Sequence, residues 1–256
     1  MTRSRLDRPG GAVTHPRLDH LVYAVPDLAA GVAEFAERTG ISPAPGGSHP
    51  GGTANHLVRF GPSSYLEIIG PDPAATVRPR AFGLETLAEP RLAAWAVRPD
   101  DLDTSVRRAR EQGYDPGDVQ PLSRRTPAGE LLEWRLTRRE DPAEVVPVPF
   151  LIDWGATRHP ADSDLPLVSL IAFSAAHPRS EALRRDLAAL GVRLDVADGP
   201  ARRCAPSSAP RGGRDPALTR SCTGQVILPW PDPANGCTSD PGVMCSSRLD
   251  QCKGLT

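Results

Sequence analysis

The sequence predicts an α+β fold, with helices laid on one face of a mixed or antiparallel sheet. Three observations lead there. A unit of strand, helix and further strands recurs along the chain. The strand candidates alternate in polarity. All five cysteines (204, 222, 237, 245 and 252) fall after residue 203, which sets an irregular tail apart from the patterned region.

The first unit opens with 17–25, RLDHLVYAV, an alternating strand. It leads into 27–40, where Leu28, Val32 and Phe35 recur on one helical face. Asp27 is placed to cap that helix and Gly40 to end it. Ile41 then supplies the apolar contact of a glycine C-cap. Strands are expected at 55–61 and 64–70. The second unit opens with 91–97 and a helix over 100–113, with Leu102, Val106 and Ala109 on one face, then Gly113 and Tyr114. Strands are expected at 118–124, 130–138 and 148–154. The third opens with a strand over 166–174 and a helix over 178–191, carrying Leu183, Leu187 and Leu190, then Gly191 and Val192. A strand at 192–198 follows, after which the pattern stops.

Side-chain alternation assigns faces. In the first strand Leu21, Tyr23 and Val25 oppose His20, Val22 and Ala24. At 64–70, Leu66 and Ile68 oppose Tyr65, Glu67 and Ile69. At 130–138, Leu132, Trp134 and Leu136 oppose Leu131, Glu133, Arg135 and Thr137. The apolar face suits the helices, with Trp95 and Trp134 as core beneath them. The other face gathers His20, Glu67 and Glu133.

Together, LDHLVYAVPDL, GGTANHLVRFGPSSYLEIIGPDP, LAAWAVRPDDLD, SRRTPAGELLEWRLT and PFLIDWG resemble the glyoxalase-like domain family of the vicinal oxygen chelate superfamily. The resemblance runs from about residue 18 to 196. It implies βαβββ modules paired into a half-open barrel, with a cup that in many members holds a divalent metal. Its ligands come from the first and last strands of the modules. Carried over, they match His20, Glu67 and Glu133. Aligning 27–28 with 101–102 sets Ala94 opposite His20, and alanine cannot ligate, so at most three of the four ligands remain. His56 is a candidate second imidazole. Glu67 and Glu133 are the expected catalytic carboxylates, and Asn55, His56, Tyr65 and Arg125 the expected substrate contacts. The Arg124–Arg125 pair suits a carboxylate or phosphate. Trp154 and His159 read as a cap on the second module's edge. The implied activity is lyase, isomerase or dioxygenase chemistry on a small molecule with a divalent metal. The alternative is a metal-free protein that binds or sequesters a small molecule on the same fold.

The expected domains are an N-terminal arm over 1–16, two modules over 17–157, a partial third unit over 165–203 and an irregular tail over 204–256. Cysteine spacings of 18, 15, 8 and 7 in that tail lack close zinc-type pairs. A frameshift near residue 203 would produce such a segment, and would leave the third unit truncated. Net charge is −1, with 30 basic and 31 acidic residues, which argues against a nucleic-acid partner. The basic residues are nearly all arginine, a bacterial-type bias. No apolar run reaches the roughly 20 residues needed to span a bilayer, and the first residues lack a secretory apolar stretch. A cytoplasmic protein with no membrane partner is expected, and a homodimer is compatible with barrels that pair modules.

Overall fold

A computed structural model describes residues 15–139 and 148–199, and the backbone of 225–227. The first module comprises β1 (Arg17–Ala24), α1 (Leu28–Thr39), β2 (Ala44–His49), β3 (Thr53–Arg59) and β4 (Tyr65–Pro71). The second comprises β5 (Arg91–Arg98), α2 (Leu102–Glu111), β6 (Asp118–Arg125), β7 (Leu131–Arg138) and β8 (Phe150–Asp153). A third unit, β9 (Ser174–His177), α3 (Ser180–Ala189) and β10 (Asp195–Asp198), pairs its two strands in parallel. A short strand, β11 (Gln225–Ile227), pairs antiparallel with β9. The rest of the tail, with its cysteines and the frameshift expectation, lies outside the described residues, as does most of the N-terminal arm.

The eight strands of the two modules close into a barrel in the order β1-β4-β3-β2-β6-β7-β8-β5. The two seams between modules differ. Strands β1 and β5 pair along most of their length. Strands β2 and β6 meet through one residue pair, Ser48 with Arg125. The expected half-open sheet is thus closed, but by a thin seam.

Helix ends follow the sequence signals. The Asp27 carboxylate accepts the Ala30 N–H at 3.0 Å, and Asp101 accepts the Thr104 N–H at 2.7 Å. At the C-termini Gly40, Gly113 and Gly191 adopt positive φ (72°, 85° and 72°), which side chains resist. After α2 the Tyr114 N–H reaches back to Ala109 O, and after α3 the Val192 N–H to Leu187 O. Tyr114 and Val192 then bury their side chains in the core.

That core lies between the barrel's outer face and the helices. Leu21, Val58, Leu66, Ile68, Trp95, Val97 and Leu151 meet Phe35, Val106, Leu183 and Leu187 there. Burial of such side chains contributes about 1.5–3 kcal/mol each. The inner face is filled at one end by Val22, Ala24, Ile69 and Leu84. Elsewhere Leu57, Tyr65, Ala96, Ile152 and Trp154 fill it, with Trp134 and Leu136 partly buried beside them.

Two expectations about elements are corrected. Strand β2, APGGSH, was not expected, because it offers no apolar alternation. Its glycines serve close packing instead, as described below. The strand expected at 166–174 is not one ladder. Its start docks on β3, where Val168 N–H bonds Arg59 O at 3.0 Å and Arg59 N–H bonds Pro166 O at 2.9 Å. Val168 and Phe173 then pack into the outer core, Phe173 edge-on to Trp95 at 4.9 Å. The ladder begins only at Ser174. The apolar run is there for packing, not for pairing.

Two register shifts between β1 and β5 matter for the site. Leu18 faces Val97 and His20 faces Ala96, so Asp19 is the extra residue on β1. Val22 faces Ala94 and Tyr23 faces Leu92, so Ala93 is the extra residue on β5. The two bulges are 74 residues apart, the same spacing as the helix caps Asp27 and Asp101. The modules therefore correspond residue by residue. His20 corresponds to Ala94, as the sequence alignment placed it. Glu67 pairs with Val22, and Phe150 pairs with Ala96, so Glu67 corresponds to Phe150.

Candidate functional site in the first-module half of the barrel

A β-bulge turns a side chain away from strict alternation. Here it brings Asp19 into the barrel beside His20. Asp19 is fully buried. Its carboxylate contacts His20 Nδ1 at 2.7 Å and His159 Nε2 at 3.0 Å. It also accepts the Trp154 indole N–H at 3.2 Å, with Arg98 Nε 3.8 Å away. Burial alone raises a carboxyl pKa, but hydrogen bonds from His159 and His20 outweigh it and hold Asp19 well below the usual carboxylate range.

That ionisation fixes the protons around it. An ionised carboxylate only accepts, so His20 Nδ1 must carry the hydrogen of the 2.7 Å contact. Nδ1 of His159 accepts the Ala161 N–H at 3.2 Å, so its Nε2 carries the hydrogen that Asp19 accepts. His20 is left with Nε2 facing the cup, 3.9 Å from Glu67 Oε2. Tyr65 stacks on the imidazole with ring centres 4.8 Å apart, and Phe150 meets it edge-on at 5.4 Å. The ring is clamped on two sides and oriented by its Asp19 bond.

Glu67 stands in the middle of β4, between β1 and β3. Its Oε1 accepts the Asn55 amide N–H at 2.6 Å. On the same oxygen's side, His49 Nε2 lies 3.9 Å away. His49 is held through Nδ1 by the Thr53 hydroxyl at 3.0 Å, and burial lowers its pKa. A carboxylate is thus bracketed by two imidazoles and one amide. Side-chain exposure rises from 0% at Asp19 and 5% at His20 to 10% at Glu67 and 16% at His49. Within this cluster, exposure is greatest at His49, on β2.

Strand β2 makes room for this. Gly46 is a bulge residue opposite Asn55, and a Cβ there would sit 2.2 Å from Asn55 Oδ1. Gly47 has φ 132°, and a Cβ there would sit 2.0 Å from Arg125 O and 3.3 Å from Arg124 Nη1. Arg124 is buried and donates from Nη1 to Gly46 O. Burial lowers its pKa, while Tyr65 and Glu67 oppose that effect electrostatically.

The structure brings four of the expected site residues, His20, Glu67, Asn55 and Tyr65, to one place. It separates the other three. Glu133 is exposed on the barrel's outer face. The next residue on that face, Arg135, bonds Asp103 of α2 at 3.1 Å and Asp153 at 2.8 Å. Trp134, between them, points inward, 5.3 Å from Trp154 and 6.4 Å from His49. The assignment of faces in β7 was therefore inverted. The interior of a small barrel is itself packed with large apolar side chains, so polarity alone does not tell inside from outside. His56 also lies on the outer face, opposite to Asn55 and Leu57. Arg125 is exposed and donates to Gly129 O at 3.0 Å, so the arginine of the cup is Arg124. Sequence reasoning also missed Asp19, hidden by its bulge, and His49, hidden in an unexpected strand. Trp154 and His159, expected to cap an edge, instead hold Asp19.

The metal cup implied by the resemblance draws donors from both modules. Here the second module offers Ala94 and Phe150 at the corresponding positions, and Glu133 faces outward. Among the described residues no group of three or more His, Cys, Asp or Glu side chains is placed to hold a metal ion. The residues present do not complete that cup.

Comparison with known proteins follows the same lines. The model of the glyoxalase-like domain matches residues 18–191. The chain belongs to the glyoxalase-like domain family. With that family it falls in the vicinal oxygen chelate superfamily, and the match includes the third unit through α3. Among solved structures, a hypothetical protein from Staphylococcus aureus is similar, at 15% identity over 72% of this chain and 86% of that one, with a TM-score of 0.50. A methylmalonyl-CoA epimerase from Mycobacterium tuberculosis is similar at 22% identity, over 55% of this chain and 89% of that one, TM-score 0.36. A variant of the Streptomyces coelicolor epimerase, in complex with 2-nitronate-propionyl-CoA, is similar at 20% identity, over 57% and 100%, TM-score 0.38. At these identities the likeness is one of fold. No curated protein matches the chain. Among the described residues, no helix is long and apolar enough to cross a membrane.

Proposed function

We propose that this glyoxalase-like protein is a small-molecule enzyme of the isomerase or lyase type, moving a proton within the first-module half of the barrel. One observation carries the reading: the buried file Asp19–His20–Glu67, whose exposure rises toward His49 on β2. His20 is the general base or acid, oriented by Asp19, which also stabilises the imidazolium that forms when Nε2 takes a proton. Glu67, within hydrogen-bonding reach of a ligand placed between it and His20, is the second proton carrier. Asn55 fixes its carboxylate in one orientation. Trp134, Trp154 and Phe150 exclude water from the opposite wall. No metal-dependent step is included, because the residues do not complete a metal cup.

A second reading, sequestration without turnover, draws on the aromatic wall that faces these groups. The two separate in one experiment. The protein is incubated in D2O with small 2-oxo and 2-hydroxy carboxylic acids and with 1,2-diketones, and solvent deuterium incorporation next to the carbonyl or hydroxyl is followed by NMR. Enzyme-dependent exchange that falls by about 10²-fold or more in His20→Ala and Glu67→Gln supports the proton-transfer reading. Binding of any of these compounds with no exchange supports sequestration instead.

A further inference from the structure

Arg124 is a guanidinium inside the barrel that the proton-transfer reading leaves unused. It is 5% exposed. Buried charges are ordinarily paired, because leaving water is costly. Yet among the described residues no carboxylate lies within the 4.0 Å of an ion pair with Arg124, whereas Arg98 has one and Arg110 and Arg135 have two each. Its one hydrogen bond there goes to a main-chain carbonyl, Gly46 O. Glu67 acts on it electrostatically, but is held by Asn55.

Its surroundings are cleared for it. Gly47 at φ 132° leaves no Cβ in front of Nη1. The neighbouring residue, Arg125, forms the single pair of the thin seam with Ser48, and Ser48 precedes His49. The guanidinium and the most exposed imidazole of the cluster therefore flank the same seam.

We propose that Arg124 is the anion anchor of this cup, and that the ligand is a small molecule carrying a carboxylate or phosphate. The planar fork of arginine matches either anion with two parallel hydrogen bonds. Within electrostatic range of Glu67, it holds an anionic group near the atom that loses its proton, and offsets the charge that builds on that group as the proton leaves. The inference rests on the proton-transfer reading only for the location of the cup.

The test uses two probes, oxalate and inorganic phosphate, titrated into the full chain at neutral pH and followed by calorimetry. At least one is expected to bind. Arg124→Gln is expected to weaken that binding by tenfold or more, with Arg124→Lys in between, while Glu67→Gln leaves it intact or tighter. Binding of oxalate alone assigns a carboxylate, and of phosphate alone a phosphate. Since Arg124→Gln removes a buried group, a second readout is the Arg124 Nε–H signal of the wild-type protein, expected to shift on adding the probe that binds. Failure of both probes to bind, equal affinity in a folded Arg124→Gln, or an unmoved Arg124 signal overturns the proposal. Loss of deuterium exchange in Glu67→Gln with anion binding retained bears on the enzymatic reading separately.

Discussion

The two modules share one plan and differ in what they send inward. Both open with a strand bulged at the same place, run into a helix capped by aspartate, and end on a strand parallel to the first. At corresponding positions the first module carries Asp19, His20 and Glu67, and the second carries Ala93, Ala94 and Phe150. One half of the barrel gathers ionisable side chains at these positions and the other small or aromatic ones. The outward residues of the same strands show no such divergence: Leu21 and its counterpart Trp95 both lie in the core beneath the helices. Packing constrains the outer face in both modules. The inner face is released from that constraint, because side chains there meet one another across the barrel rather than a helix.

The largest effects expected from this comparison are on turnover. His20→Ala and Glu67→Gln should each lower exchange by about 10²–10⁴-fold, whereas Phe150→Leu, at the position corresponding to Glu67, should stay within a few-fold. Equal losses at both positions would erase the distinction between the halves. The same asymmetry predicts that stripping divalent metals with a chelator leaves exchange within about twofold. A loss restored by adding one cation would show that a metal cup forms from one module alone.

Stability should divide along the same line. Asp19→Ala removes the acceptor from two imidazoles and an indole, and should cost about 3–5 kcal/mol, as breaking a buried ionic network does. Ala93→Gly, at the corresponding bulge, should cost about 0.5–1 kcal/mol, the ordinary penalty of glycine in a strand. Urea unfolding measures both. Gly46→Ala should cost an intermediate 1–3 kcal/mol, since the added methyl meets Asn55 Oδ1.

The smallest effect is one of pH. All three tyrosines resist ionisation because they are buried: Tyr23 is pushed up to about 12, Tyr65 lies well above its ordinary value, and Tyr114 is raised. The folded state then holds phenolic protons that the unfolded chain releases near pH 10. The resulting stability is complete below pH 10 and is lost as pH rises toward 12 and beyond. Absorbance at 295 nm should show no tyrosine titrating at its ordinary value before unfolding. A phenol that ionises near pH 10 in the folded protein would contradict this.

Much of the fold was legible because it is written in local signals. The caps Asp27 and Asp101, and the glycines 40, 113 and 191, act through their own neighbours. Strands β1 and β4 were read with their faces correct, since one face meets helices and the other a polar cup. The same logic failed in β7, where both faces are plausible: Glu133 and Arg135 face outward, and Trp134 faces the cup. Strand β2 was illegible because it is defined by what its glycines omit. Half of the site depends on non-local events. His49 and Arg124 arrive from two strands that meet at one pair, and Asp19 enters only through a bulge that no alternation rule foresees.

Proton transfer through His20 requires Asp19 to hold the His20 proton at Nδ1, so that Nε2 faces Glu67. Nitrogen-15 NMR of the imidazoles reads this directly. The expected result in the neutral ring is a protonated Nδ1 and an unprotonated Nε2 at His20, with the opposite tautomer at His159, and loss of the His20 preference in Asp19→Asn. A His20 ring protonated at Nε2 alone, or a tautomer indifferent to Asp19→Asn, would contradict it.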